Sequence, residues 1–556
     1  MKGLLSHQQA WLKPIILLSL LVCTQVQAQN SVAPPRDSGQ TVDGDSQQAD
    51  VILLSPGDRI RSQQIKHETS EVSNAVQIFS AKDSIETHLG RAAKSVSRVA
   101  LSELNALEYR SPELVERLRQ LWQSASERQV VIAHFGDSHV QGGPAIQVAR
   151  NHLQSLAGSA GRGMIFPYAV AKTYDQADFR SSFSGSWVYA SSIQTSPRLK
   201  LGVSGFAAHT DDALATFGFK FSQAFDPGVK IVRLFYRARS AGYRLTMQSG
   251  ELAQSVDLPT SNGAEETQVA ELLWPSLRDD LQFEVRTEDT AQRLFELHGI
   301  SVENLKPGIL YHNLGVGGAT FGSLLAQDHF VTQSREINPN IVILDWGTND
   351  IAYKNEIPDK FEETVVKTIE RIRSSHPQAL VILTSAQDMY MKRRAITATE
   401  TLSSLLRRVA MNQNCFFYDW YRIAGGSDSM RTFYAYGMAN PDHIHLSRTG
   451  YALKGHLFAQ ALINTVSASL RGSAMTSQEQ PYSGKEHPLS VAAWLKSQTE
   501  LTRRPDLIAL QASPPSKSKK QVRAKKNFLS QQNSNEARRQ SSIKKYSTKP
   551  PQRVGR

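Results

Sequence analysis

The feature that most restricts the fold is a repeated unit: a short apolar run that ends in small polar residues and gives way to a helix. Val130-Val131-Ile132-Ala133-His134-Phe135 runs into Gly136-Asp137-Ser138, and residues 144–156 then have helical spacing. The unit recurs at 310–314 and at 341–346, the latter ahead of an amphipathic helix predicted over 359–375 with Phe361, Val365, Val366, Ile369 and Ile372 on one side. A strand at 380–384, a helix at about 395–411 and a strand at 415–420 continue it. Near-continuous apolar strands suit a sheet buried on both faces, and parallel neighbours need right-handed crossover helices. The pattern begins at Ser111-Pro112-Glu113, where a capping residue, a proline and an acid open a helix. Open α/β sheets place their chemistry at the carboxyl ends of strands, which is where Ser138 falls.

Between the first and second units the character changes. The segments 216–221, 231–236, 243–247 and 281–285 alternate or are rich in β-formers, and Gly, Pro, Asp and Ser punctuate them. Several strands without intervening helices predict an antiparallel sandwich or jelly roll at 166–304, inserted into an α/β domain made of 111–165 and 305–470. Trp187, Tyr189, Trp274 and Tyr236 are its candidate ligand-stacking aromatics. Before Ser111, residues 29–50 read as a linker, and 51–110 carry scattered apolar positions such as Val72, Val76, Ile78 and Phe79.

The N-terminus carries Lys2 and Lys13, an apolar run at 15–22 and Val26-Gln27-Ala28, the layout of a secretory signal peptide cleaved near Ala28. That run is too short to span a membrane, so the mature chain is expected to have no transmembrane span and to be periplasmic or secreted. Val22 before Cys23 does not suit a lipidation site. Only Cys415 then remains, so no internal disulfide can form. No Cys/His cluster has metal-ligand spacing; neither a metal nor a cofactor is expected. The net charge of +12 resides in one segment: 514–556 holds 13 Lys/Arg and a single acid, Glu536. The stretch 471–556 is expected to be largely disordered. Its charge suits an anionic cell-wall polymer or lipid headgroups, and equally a tail that only solubilises, whereas export makes nucleic acid an unexpected partner.

Four places offer chemistry. A serine hydroxyl needs a base, the base needs an orienting partner, and the developing oxyanion needs donors. Gly136-Asp137-Ser138-His139 supplies a serine at a strand-to-helix turn, although an Asp/Ser helix cap would look the same. Asn313 to Thr320 supplies the glycines Gly315, Gly317 and Gly318, which fit neither a P-loop nor a dinucleotide spacing and in isolation read as a tight turn. Gly347-Thr348-Asn349-Asp350 supplies an amide donor or an Asx turn. Pro441-Asp442-His443-Ile444-His445 places a carboxylate three residues before His445, which that spacing favours over His443 as the base.

In this order the four blocks resemble the SGNH (GDSL-type) hydrolase superfamily. The resemblance implies a flavodoxin-like three-layer α/β/α fold with Ser138 as nucleophile, His445 as base and Asp442 as its orienter. It also implies an oxyanion hole from Gly318 (Gly317 as the alternative), Asn349 and the Ser138 N–H. More narrowly, Gly136-Asp137-Ser138-His139 with Gly161-Arg162-Gly163-Met164-Ile165-Phe166-Pro167-Tyr168 is similar to bacterial periplasmic peptidoglycan O-acetylesterases, which carry an inserted β-domain resembling a carbohydrate-binding module. The implied activity is a serine esterase that removes acyl groups, acetyl first among them, from a glycan. A polysaccharide O-acetyltransferase working through the same acyl-enzyme is one alternative, and a non-catalytic cell-wall glycan-binding protein is another.

Overall fold

The computed structural model describes residues 85–238, 242–259, 267–288, 293–470 and 486–498. Five parallel strands form the central sheet: β1 (Gln129–Gly136), β2 (Gly308–Gly315), β3 (Ile341–Asp345), β4 (Leu380–Thr384) and β5 (Phe416–Tyr418). Their spatial order is β2-β1-β3-β4-β5. This is the flavodoxin-like order, whose switch point lies beside β1, and ligand crevices form at such points. Alternation divides the strand side chains between two cores. Val130 and Ile132 face one side, Val131, Ala133 and Phe135 the other. Helices Pro112–Ser124, Pro144–Ala157 and Arg448–Leu470 cover the first face; Phe330–Ile337, Phe361–Ser375 and Ala398–Asn412 cover the second. The fold class is the one expected.

The inserted region is two antiparallel sheets. One runs Gln268–Trp274, Lys230–Ala238, Phe295–Asn304, Phe206–Thr210, Val188–Ser191, with Gly161–Ile165 also paired to Phe295–Asn304. The other runs Phe179–Ser184, Leu214–Phe221, Asp280–Arg286, Arg244–Ser249, Leu252–Asp257. Leu281, Phe283 and Val285 point inward while the residues between them do not. The Phe217 and Phe283 rings stack at 4.9 Å. The first strand, Gly161–Ile165, begins five residues ahead of the boundary expected at 166, because Gly163, Met164 and Ile165 pair with Phe295–Asn304. This aromatic core is continuous with the core on one face of the parallel sheet.

Two peripheral segments hold more order than their composition suggests. Helix Ala93–Ala100 buries Val96, Val99 and Ala100 in the core beneath Arg448–Leu470, whereas residues 72–79 lie outside the described residues. Within the tail expected to be largely disordered, helix Val491–Ser497 buries Val491, Ala492, Trp494 and Leu495. Ser490 caps it by accepting the Ala493 N–H, and the Trp494 indole donates to Ser95 Oγ at 3.2 Å. Seven residues are too few to show a periodicity; only the docked partner gives them a reason to fold. The signal-like N-terminus and the basic segment 514–556 lie outside the described residues. Among those described, no helix is long and apolar enough to cross a membrane.

Candidate active site

The strand β1 ends where Gly136 passes under the next turn; a Cβ there would lie 2.2 Å from Val140 Cγ2 and 2.8 Å from the Asp345 carbonyl oxygen. Asp137 caps the short helix Ser138–Gln141, its Oδ1 accepting the His139 N–H at 2.9 Å. Ser138 is the first residue of that helix, so its N–H has no intrahelical acceptor. From there its hydroxyl meets His445 Nε2 at 2.8 Å, and His445 Nδ1 meets Asp442 Oδ2 at 2.7 Å. Asp442 is fixed in turn: its Oδ1 accepts the N–H groups of Ile444 and His445, both at 3.0 Å. The turn places His443 in the left-handed region at φ 57°. That swings its ring 4.5 Å from Tyr434 and 5.9 Å from Tyr390, so of the two histidines it is His445 that meets Ser138.

The electrostatics of this chain are directional. Burial pushes Asp442 up, but the His445 hydrogen bond and the two backbone donors outweigh it and hold the carboxyl well below its ordinary range. The Asp442 bond raises His445 against the opposing effect of burial. Behind it, His139 packs at 5.1 Å between ring centres, with Nδ1 2.7 Å from the Tyr451 hydroxyl. Burial lowers His139 well below its ordinary value, so it stays neutral beside His445. Burial also raises Asp137 to about 7.

The donors expected for an oxyanion follow the two strands flanking β1. After β2, the Gly317 N–H is already taken by Gln141 Oε1 at 2.5 Å. The Gly318 N–H has no hydrogen-bond partner among the described residues, and its φ of +90° suits glycine. After β3, Asn349 Nδ2 donates to the Ala319 carbonyl at 3.0 Å and more weakly to Asp137 Oδ2 at 3.3 Å. The longer of these is the one an oxyanion can displace. Ser138, His445, Gly318 and Asn349 all line a single cleft of about 510 Å³.

Three contributors were not foreseen from the sequence. Gln141, fully buried, accepts from Gly317 and donates to the Tyr174 carbonyl at 2.8 Å and Thr173 Oγ1 at 3.2 Å. It ties the serine helix, the glycine loop and the first loop of the insert together. Its position just after the serine block was the only signal, and a glutamine there reads as surface. Tyr174 and Tyr353 line the cleft. Of the aromatics singled out in the insert, Trp274 and Tyr236 are buried core side chains, which corrects their reading as ligand platforms, and Trp187 packs edge-on against Phe217 and Phe295. Away from the cleft, Glu296, His298 and His329 bring three metal-capable atoms within 4.8 Å. Arg237 already grips both Glu296 oxygens, at 3.1 and 3.0 Å. Gln333 accepts from the Val203 N–H, so its NH₂ faces His298 Nδ1 and the proton sits on Nε2, toward Glu296. Glu296 and His298 are thus already paired by protein groups, whereas the buried Nε2 of His329 has no hydrogen-bond partner among the described residues.

Residues 287–453 match the model of the GDSL-like lipase/acylhydrolase family. Fold and family together make this chain a carboxylic ester hydrolase with an SGNH hydrolase domain. The match takes in Gly318, Asn349, Asp442 and His445 but not Ser138, which the insert separates from them in sequence. Among solved structures the chain is similar to a peptidoglycan O-acetylesterase, with 23% identity, TM-score 0.55, and 63% of this chain and 96% of that chain covered. It is similar more distantly to a family two carbohydrate esterase from Cellvibrio japonicus, with 11% identity, TM-score 0.22, and 52% of this chain and 99% of that one covered. A third similar structure is a mutant of Axe2, an acetylxylan esterase from Geobacillus stearothermophilus, with 19% identity, TM-score 0.24, and 28% of this chain and 73% of that one covered. No curated protein matches the chain.

Proposed function

We propose that this chain is an exported serine esterase that removes acetyl groups from a glycan, peptidoglycan being the first to test. The observation that carries the proposal is the continuous chain of contacts from Ser138 Oγ through His445 to Asp442, at 2.8 and 2.7 Å. Ser138 Oγ attacks the ester carbonyl carbon as its proton passes to His445 Nε2. Asp442 holds Nδ1–H and stabilises the imidazolium. The Gly318 and Ser138 N–H groups and the Asn349 amide receive the oxyanion. The intermediate collapses, the C–O bond to the sugar breaks, and His445 returns the proton to the departing sugar oxygen. Water, deprotonated by the same His445, then releases acetate from Ser138. The His445 side chain is 35% exposed, which gives water a path to the acyl-enzyme.

Acetyl and glycan rest on the similarity to the peptidoglycan O-acetylesterase together with the inserted β-sandwich. Export rests on Lys2, Lys13, the apolar 15–22 run and Ala28. The basic segment 514–556 would then meet anionic cell-wall polymer. The deciding experiment measures acetate released from O-acetylated peptidoglycan and from acetylated xylan by the wild type and by Ser138→Ala. Release from peptidoglycan that vanishes in the variant supports the reading. Unchanged release by the variant, or none from either polymer by the wild type, overturns it.

A further inference from the structure

Exposed apolar side chains gather at the rim of the Ser138 cleft. Tyr174 is 46% exposed and Tyr353 82%. Ile193, also exposed, lies next to Gly318, since a Cβ on that glycine would sit 3.6 Å from Ile193 Cγ2. Contiguous exposed apolar surface around a cleft marks a binding site. The two tyrosines reach it from different parts of the chain. Tyr174 comes from the insert, on the loop whose carbonyl Gln141 holds at 2.8 Å. Its ring lies against two residues without side chains: a Cβ on Gly317 would fall 2.6 Å from the Tyr174 hydroxyl, and one on Gly142 3.9 Å from Tyr174 Cε2. Gly317 follows β2, on one side of the strand that carries Ser138. Tyr353 follows β3, on the other side, two residues beyond the helix Thr348–Ile351.

The loop of the insert is not held by Gln141 alone. Arg162 forks onto Asp178, with Nη2 to Oδ1 at 2.6 Å and Nε to Oδ2 at 3.1 Å, and reaches Gln176 Oε1 and the Met164 carbonyl as well. Gln176 in turn donates to the Tyr168 hydroxyl at 2.9 Å. Tyr174 is therefore presented on a clamped segment, which lowers the entropy cost of using it for binding. Around these rings the lining mixes Thr173, Thr348 and Asn440 with the apolar Ala352, Met391 and Ile444. An acyl chain would call for a continuous apolar tunnel. A sugar ring, with C–H faces and a hydroxyl rim, matches aromatic faces interleaved with hydroxyl and amide groups.

We infer that Tyr174 and Tyr353 form an aromatic subsite that seats a pyranose ring of the substrate beside Ser138, so that the insert builds part of the active site. This inference rests on the glycan esterase reading. The test compares kcat/KM on an O-acetylated glycan oligomer with kcat/KM on p-nitrophenyl acetate for the wild type, Tyr174→Ala, Tyr353→Ala and the two Phe variants. In each Ala variant the glycan-to-small-ester ratio is expected to fall about tenfold, mostly through KM. The Phe variants, which keep the ring face, should hold the wild-type ratio and guard against a folding defect. A wild type active on the glycan whose ratio is unmoved by either Ala variant overturns the subsite alone. Phe variants that fall as far as Ala overturn stacking as its basis. A wild type that cleaves the small ester and no acetylated glycan overturns both the subsite and the glycan reading.

Discussion

Among the described residues, the two shortest histidine–carboxylate pairs are nearly equal in length, and their surroundings differ completely. His445 and Asp442 meet at 2.7 Å with side chains 35% and 46% exposed; His298 and Glu296 meet at 2.9 Å with both at 0%. In the insert, every valence of the pair is spent. Arg237 takes the carboxylate, Gln333 takes the second ring nitrogen, and protein encloses the group. In the hydrolase domain, the second ring nitrogen of His445 is turned to a serine hydroxyl at the edge of an open cleft. A pair with nothing left to bond anchors structure, whereas one with a free nitrogen, a nucleophile and access to water can move a proton. The pairing motif therefore does not mark chemistry by itself; its unfinished coordination and the serine it meets at the end of β1 do.

The contrast can be broken from the hydrolase side, beginning with the largest effect. Ser138→Ala is expected to lower kcat on a chromogenic acetyl ester by about 10⁴ or more while circular dichroism stays native; substantial remaining turnover would remove Ser138 from the mechanism. Asp442→Asn should cost about 10²–10⁴ in kcat and also shift the pH profile. His445 must be neutral to accept a proton, and Asp442 raises its pKa, so activity falls as pH drops through that raised value. Without the carboxylate the acidic limb moves to lower pH, and a limb that stays in place would show that Asp442 does not set it. Asn349→Ala should cost about 10²–10³ in kcat, the usual loss for one oxyanion donor; steady-state kinetics showing a change in KM alone would contradict that role.

The smallest effect on turnover is expected from the sealed pair. Glu296→Gln leaves Arg237 buried without its counter-charge and should destabilise the fold by about 3–5 kcal/mol, while kcat of the folded protein stays within about twofold. Burial pushes Glu296 up, but His298 and Arg237 outweigh it and hold it down at about 2. Because the folded pKa is depressed, this stabilisation is present above the ordinary carboxylate value of 4.5 and fades as pH falls toward 2. Urea denaturation across that window should give a flatter stability curve for the variant. A catalytic defect larger than the stability defect would mean that the two pairs are not as separate as their geometry indicates.

Much of the hydrolase domain was legible from local pattern. Apolar runs such as 130–135 and 341–344 can be buried strands because periodicity is a property of neighbours in sequence. The segments around Ser138, Gly318, Asn349 and His445 were visible because each ends or follows such a run or sits in a recognisable turn. The tail helix Val491–Ser497 was not visible, since its apolar face acquires meaning only against Ser95 and the core around Arg448–Leu470. Nor was Lys454, a charge within a long apolar helix; it folds onto buried Asp345 at 3.0 Å, beside Thr384 and His134.

The sequence by itself determined the alternation of strand and helix, the β-rich insert, the order of the four blocks and the residue types they bring, because all of these are written in short-range spacing. The Asp442–His445 spacing favoured one histidine; the tertiary structure supplies the reason the other turns away, since the φ of His443 carries that ring to Tyr434. It also decided which glycine N–H is left open, because Gln141 claims the one at Gly317. And it alone brought Tyr174 of the insert to the same cleft as Tyr353, across 179 residues of chain. Contacts of that span depend on how the layers pack, and no local pattern encodes them.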